Sequence, residues 1–171
     1  ESYVVGLRNA LRQAPDVIFV GELRDPETVA VALHSAETGH LVVSTLHATN
    51  ATTAIERVLN FFQPEVRASM LLQLSLTLRA VVARRLVPRG SGKGRAAAME
   101  IMLVTPRIQA LIRRGELETI RQAIEEGNNE GLQTFDQALL DLFQRKVIGQ
   151  EDAVRFADSP NNLRLRLKGI R

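Results

Sequence analysis

Glu22 closes the apolar run Val17-Ile18-Phe19-Val20-Gly21. Open parallel sheets gather their ligands at the carboxyl ends of strands, so an acid leaving a buried strand there is poised to position water or a Mg²⁺-bound oxygen. The plainer alternative is a strand-end ion pair with Arg24, two residues on. Two imidazoles bracket the next apolar run: His40 precedes Leu41-Val42-Val43-Ser44-Thr45-Leu46 and His47 follows it. On a strand rising about 3.3 Å per residue they stand about 20 Å apart when extended, too far to share one metal ion without a bend. If the strands are parallel, His47 shares the carboxyl edge with Glu22, where an imidazole can donate to a phosphate oxygen and change charge near neutral pH.

Other chemistries drop out. The chain has no Cys and three His, which removes disulfides, thiolate nucleophiles and Cys-built zinc sites. No Gly-x-Ser-x-Gly elbow occurs, so serine hydrolysis has no nucleophile. Gly90-Ser91-Gly92-Lys93-Gly94 has phosphate-loop composition, but Gly94 and Arg95 follow Lys93 where that loop needs Ser or Thr opening a helix. The stretch therefore reads as a hairpin turn, and no Gly-x-x-x-x-Gly-Lys-[Ser/Thr] occurs elsewhere.

The elements that must position these residues follow from periodicity. Residues 4–12 have helical spacing in Val4, Leu7 and Leu11, ended by Pro15. Residues 17–20 predict a central strand buried on both faces. Asp25, Pro26 and Glu27 supply an N-cap, a first-turn proline and a first-turn acid for a helix through Glu37, with Gly39 ending it. A strand over 41–46 and a helix from about 50 to 62 follow, and the order strand, helix, strand, helix argues a parallel α/β sheet. Met70, Leu71, Leu74, Leu78, Val81 and Val82 keep helical spacing, residues 86–88 predict a short strand, and 96–104 its hairpin partner. Beyond Thr105 the chain reads as helices at 106–113, 116–126, 134–145, 151–157 and 161–168, with Thr134 and Asp158 as caps.

The 171 residues are 45% hydrophobic and 24% charged, enough for one good core or one core plus a small appendage. Of 22 cations 19 are Arg, which suits fixed carboxylate and phosphate contacts. Between Arg79 and Arg114 nine cations face the single acid Glu100, which reads as a solvated basic face or as an anion or subunit contact. With six Phe, one Tyr and no Trp, stacking platforms for single-stranded nucleic acid are scarce, and no direct nucleic-acid partner is expected. No apolar run approaches the roughly 20 residues of a spanning helix, and a cytoplasmic compartment is expected. The chain opens on Glu1 rather than Met, which suggests a piece of a longer protein.

Residues 11–25, Leu-Arg-Gln-Ala-Pro-Asp-Val-Ile-Phe-Val-Gly-Glu-Leu-Arg-Asp, resemble the Walker B segment of secretion-superfamily motor ATPases. Ala36-Glu37-Thr38-Gly39-His40-Leu41 and Thr45-Leu46-His47 resemble their His box. The likeness continues through Asn60-Phe61-Phe62, Thr105-Pro106, Gln133-Thr134-Phe135-Asp136 and residues 163–168, and is strongest to the PilT/PilU family of type IV pilus retraction ATPases. Leu163-Arg164-Leu165-Arg166-Leu167-Lys168 tilts it toward the PilU branch, and the absence of Cys sets it apart from assembly relatives that carry a four-Cys module.

The resemblance implies the carboxyl-terminal half of a RecA-like P-loop NTPase core over residues 1–104, with Walker B and His box but no Walker A, and a helical carboxyl-terminal region over 105–171. It implies that Glu22 activates or orients the attacking water and that His40 and His47 couple phosphate state to movement. Arg12, Arg24 and Arg57 match family arginines around the nucleotide and subunit interface. ATP with Mg²⁺, a homo-hexamer, a paralogous retraction ATPase and an inner-membrane pilus platform protein are the implied cofactors and partners. Without a P-loop the chain is expected to be inactive alone. Residues 105–114 resemble a segment the family links to retraction but depart from it at Arg107, Gln109 and Arg114. The alternatives are a related secretion, conjugation or DNA-uptake ATPase, or a non-catalytic basic interaction module.

Overall fold

A computed structural model describes residues 15–169 together with Gly6, Asn9 and Gln13. Of the helix expected over residues 4–12 only Gly6 and Asn9 are described, both helical; the rest of it, Arg12 included, lies outside the described residues. Strands β1 (Val17–Val20) and β2 (Leu41–Ser44) pair in parallel, with Val17 opposite Leu41 and Val20 opposite Ser44. A parallel pair needs a crossover, and α1 (Pro26–Glu37) supplies it. Asp25 starts α1 as expected: its Oδ1 accepts the Thr28 N–H at 2.8 Å and its Oδ2 the Thr28 hydroxyl at 2.8 Å. Those two donors hold the Asp25 carboxyl below its usual range. Gly39, at φ 100°, adopts the left-handed backbone that lets the chain leave α1 and enter β2 at once.

The expectation of a strand buried on both faces is overturned. Ile18 and Val20 are buried together, with Val31 of α1 and Val42 packed against them. Val17, Phe19, Leu41 and Val43 share the opposite face and are exposed, Phe19 at 69%. Unbroken apolarity is the sequence signal of two covered faces, but among the described residues only one face of this pair is covered. Strand β2 also ends at Ser44, two residues short of the expected Leu46.

Helix α2 (Ala51–Asn60) follows, then α3 (Arg67–Thr77), which packs on α1 and on α4 (Pro106–Arg114). The Thr105 side chain caps α4, whose Ile108, Leu111 and Ile112 are buried while Arg107, Arg113 and Arg114 are exposed. Gly115 ends α4 in the left-handed region at φ 73°, where a Cβ would sit 3.3 Å from Leu71 Cδ1. The helix expected over 116–126 begins instead as a 3₁₀ turn, Leu117–Thr119, before α5 (Ile120–Glu126).

A second correction concerns Val81 and Val82, which helical spacing had joined to the preceding helix. The helix ends at Thr77, and β3 (Ala80–Pro88) takes them into an antiparallel pair with β4 (Arg95–Leu103). The adjacent β-branched Val81 and Val82 favour an extended backbone, exposure alternates along the strand, and a nine-residue ladder with β4 outweighs local periodicity. Residues 89–94 form the hairpin turn, with Arg89 N–H donating to Gly94 O at 3.2 Å and positive φ at Gly92 and Gly94. The phosphate-loop composition thus belongs to a turn.

Helices α6 (Phe135–Gln144), α7 (Gln150–Arg155) and α8 (Pro160–Leu167) complete the chain. Thr134 caps α6 in a reciprocal box with Gln137, as expected. Asp158 does not cap α8: Ser159 occupies that position without a side-chain capping bond, its hydroxyl accepting from Arg121 instead, and Asp158 accepts from Arg85. Phe135 and Leu139 of α6, Ala153 and Leu163 pack with Val87, Ala96 and Ala98 of the hairpin into one buried core.

By contact density the chain divides into two compact units. One gathers the described residues of Glu1–Ala48 with Thr52–Arg79 and Val104–Ile120; the other gathers Thr49–Ala51, Ala80–Leu103 and the described residues of Arg121–Arg171.

Candidate functional site

Beyond the last ladder pair, β1 and β2 remain stitched together. The Ser44 hydroxyl donates to Val20 O at 2.6 Å, the Thr45 hydroxyl to Gly21 O at 2.5 Å, and Leu23 N–H to Thr45 O at 3.0 Å. This cross-linking carries Glu22 and His47 off the two strands side by side. The Glu22 carboxylate lies between two donors: Arg24 Nε at 2.5 Å from Oε2 and His47 Nε2 at 2.9 Å from Oε1. The Arg24 pairing weighed against the functional reading is therefore present, and His47 joins it.

Burial is uneven across this triad. The Glu22 side chain is 18% exposed, Arg24 76% and His47 79%. Exposed ion pairs are worth about 0–1 kcal/mol, so either donor can swing aside at little cost and leave the carboxylate open to water. A carboxylate at a carboxyl edge with two displaceable donors can accept a proton from water and hand the donors to a phosphate.

Of the remaining expected residues, the two that are described, His40 and Arg57, make no contact with this triad. His40 sits before Leu41, at the amino edge of β2, and its Nδ1 lies 3.1 Å from Ser35 O. A carbonyl only accepts, so that contact uses an Nδ1–H, with the Thr38 hydroxyl 3.2 Å away. Leu41 and Ser44 alone are about 10 Å apart along the strand, which separates the two imidazoles by more. Arg57 is exposed in the last turn of α2, and Arg12 is outside the described residues.

The basic block proves heterogeneous. Arg85 Nη2 lies 2.6 Å from Asp158 Oδ1, its Nη1 donates to Phe156 O at 2.9 Å, and its guanidinium stacks 3.8 Å above the Phe135 ring. Nearby, Arg121 donates to Asp136 Oδ2 at 2.9 Å, while Asp136 accepts the backbone N–H groups of Asp158 and Ser159. Arg114 pairs with Glu116. Part of the block is thus internal scaffolding rather than a solvated face.

Sequence reasoning missed Ser44 and Thr45 as the clamps of the site, and it missed the buried state of Glu100. Glu100 is 3% exposed and its Oε1 accepts the Ala51 N–H at 2.7 Å. Burial pushes its carboxyl up and Asp158 adds to that, while the Ala51 N–H, Arg85 and Arg121 oppose it. The signal was available: Ala96, Ala98, Glu100 and Met102 form a period-two set whose other members are apolar.

A family model described as Type II/IV secretion system protein matches residues 2–151. The type IV pilus ATPase PilU of Pseudomonas aeruginosa is 48% identical over 168 residues, 98% of this chain and 44% of that protein. The type IV pilus retraction ATPase PilT of the same organism is 44% identical over 156 residues, 91% of this chain and 45% of that protein. A crystal structure of the pilus retraction motor PilT with bound ADP matches at a TM-score of 0.85 and 38% identity, covering 96% of this chain and 46% of that one. The chain thus spans less than half the length of these relatives.

Proposed function

The chain belongs to the type II/IV secretion system protein family and has the fold of the carboxyl-terminal part of a RecA-like secretion ATPase; on that premise we propose that it is part of a motor ATPase coupling ATP hydrolysis to type IV pilus retraction and twitching motility. The observation that carries the reading is the Glu22 carboxylate held at the carboxyl edge of a parallel pair between Arg24 and His47. The names of the similar proteins, PilU and PilT, support the pilus system as its setting.

In this reading Glu22 orients the attacking water, accepting its proton as the γ-phosphoryl group departs. Arg24 and His47, freed from the carboxylate, donate to phosphate oxygens. His40, tied to Ser35 at the far end of β2, relays the phosphate state toward α1, and Arg12 and Arg57 serve the nucleotide and subunit interface. The phosphate cradle is supplied by sequence outside this chain, so the 171 residues alone do not turn over ATP. Mg²⁺ arrives with the nucleotide: such ions are held by one or two carboxylates plus phosphate oxygens. Among the described residues no group of three or more acids and imidazoles could cage a metal, and Glu22 would be the one carboxylate of this edge available to help hold such an ion. When bound, the ion neutralises charge on the transferring phosphates.

The working assembly is a homo-hexamer, alone or beside a paralogous retraction ATPase, acting in the cytoplasm at the inner-membrane platform of the pilus. Among the described residues no helix is long and apolar enough to cross a membrane. The test is ATP turnover by the full-length protein with and without Glu22→Gln. Loss of turnover in a variant of unchanged circular dichroism supports the reading; retained turnover overturns it.

A further inference from the structure

The turn between β3 and β4 has the composition of a phosphate loop and plays no part in the hydrolytic reading. Arg89, Lys93 and Arg95 are all exposed there, and residues 89–95 contain no acid and no apolar side chain. Elsewhere in the hairpin unit arginines are engaged: Arg85 with Asp158, Arg121 with Asp136, Arg145 with Asp141 and Arg166 with Glu125. Arg89 donates only to a backbone oxygen, that of Arg95 at 3.3 Å. Among the described residues no carboxylate neutralises Arg89, Lys93 or Arg95.

The turn rests on the connection between α6 and α7, within the same unit. Gly90 N–H donates to Val147 O at 3.0 Å, and a Cβ on Gly90 would lie 3.6 Å from Ile148 C and from Gly149 N. This contact sets the exposed Lys146, next to Val147, beside the cations of the turn. Lys146 stands at φ 59°, the only non-glycine in the left-handed region among the described residues. Glycine or asparagine takes that backbone with less strain, and a strained residue at a charged surface points to use of its side chain. The acids nearest along the chain are Asp141, held by Arg145, and Glu151 and Asp152 in the first turn of α7.

We propose that Arg89, Lys93, Arg95 and Lys146 form a docking surface for an anionic lipid bilayer. The make-up of the patch selects this occupant. A stable protein interface needs an apolar core with aromatic anchors, and residues 89–95 offer neither. Single-stranded nucleic acid needs stacking platforms, which the turn also lacks. An array of anionic headgroups asks only for cations gathered at one exposed place, each strengthening partitioning about 5-fold. The proposal goes beyond the hydrolytic reading and shares with it only the inner-membrane setting.

The test is sedimentation of the full-length protein, without nucleotide, with vesicles of equal parts phosphatidylglycerol and phosphatidylcholine and with vesicles of phosphatidylcholine alone. The parent should bind the first and not the second, and more weakly as salt is raised. Lys93→Gln combined with Lys146→Asn should lower partitioning about 25-fold. Arg164→Gln combined with Lys168→Gln removes the same charge from exposed positions at α8 and should lower it less than about 3-fold. Lys93→Arg combined with Lys146→Arg keeps the charge and should bind as the parent does. Should Lys146→Asn disturb the circular dichroism, Arg95→Gln replaces it with the same expectation. Absence of binding to the anionic vesicles, equal binding to phosphatidylcholine, or equal losses from the two neutralised pairs would each overturn the proposal. So would tighter binding to duplex DNA with the same dependence on Lys93 and Lys146, which would make the patch a nucleic-acid contact. Vesicle binding is read without hydrolysis, so a negative result leaves the Glu22 reading standing, and absence of Glu22-dependent turnover leaves this test intact.

Discussion

Glu22 and Glu100 each stand on a two-stranded sheet, and the two sheets treat their carboxylates in opposite ways. On the parallel pair, Glu22 sits past the end of β1 among exposed side-chain donors, over strands whose second face is open. On the antiparallel hairpin, Glu100 lies within β4, buried, and its partner is a backbone N–H. The first arrangement can exchange partners at a cost near zero; the second loses a hydrogen bond from a buried charge if anything moves. On the proposed reading the carboxylate that meets substrate is the one with replaceable neighbours, while the buried one has a backbone neighbour that cannot rotate away.

The largest effect expected from this contrast is on turnover. Glu22→Gln should lower kcat of the full-length protein by about 10²- to 10⁴-fold, with the thermal midpoint unmoved; a drop in midpoint would place Glu22 with the scaffold and break the contrast. Next comes the hairpin core, where Leu139→Ala should cost about 2–5 kcal/mol in urea unfolding, because Leu139 is fully buried against the hairpin. Smaller and signed is the pH response of Glu100. Its carboxyl is pushed above the usual 4.5 in the folded chain, so the folded state keeps a proton that the unfolded state sheds as pH rises from there. Stability therefore falls across that window, and the advantage of Glu100→Gln over the parent should grow as pH rises through it and then level off. A pH-independent difference would show that burial is not the dominant influence on that carboxyl. Smallest in stability is Phe19→Ser on the open face, within about 0.5 kcal/mol. Its effect should appear in sedimentation instead, as reduced self-association of the 171-residue chain, since Val17, Phe19, Leu41 and Val43 form a contiguous apolar face.

The sequence carried most of the order of elements and the placement of Glu22 and His47 at one edge. Asp25-Pro26-Glu27 and Gly39 located α1 almost to the residue, because capping is local and depends on side chains within one turn. Glu22 and His47 were legible because a parallel crossover forces consecutive strands to end at the same edge. What was not legible was set at a distance. Val81 and Val82 satisfy helical and strand spacing alike, and only their partners Met102 and Ile101 decide between them. Arg85 read as one more solvated cation because Asp158 and Phe135, which occupy it, lie far along the chain. The open face of β1 was invisible for the converse reason: composition reports what a strand could bury, while coverage depends on which elements arrive to bury it.

The interleaving of the two units also bears on how the chain is made. The hairpin is complete once Leu103 is synthesised, yet the residues that roof its inner face include Phe135, Leu139 and Leu163. At about 5–20 residues per second, the roughly 60 residues still to be added take about 3–12 s. Through that interval Val87, Ala96 and Ala98 wait uncovered beside Glu100, whose charge discourages premature collapse onto the wrong neighbour. A nascent chain paused in this stretch should be a chaperone client, and one released after Leu163 should be less so.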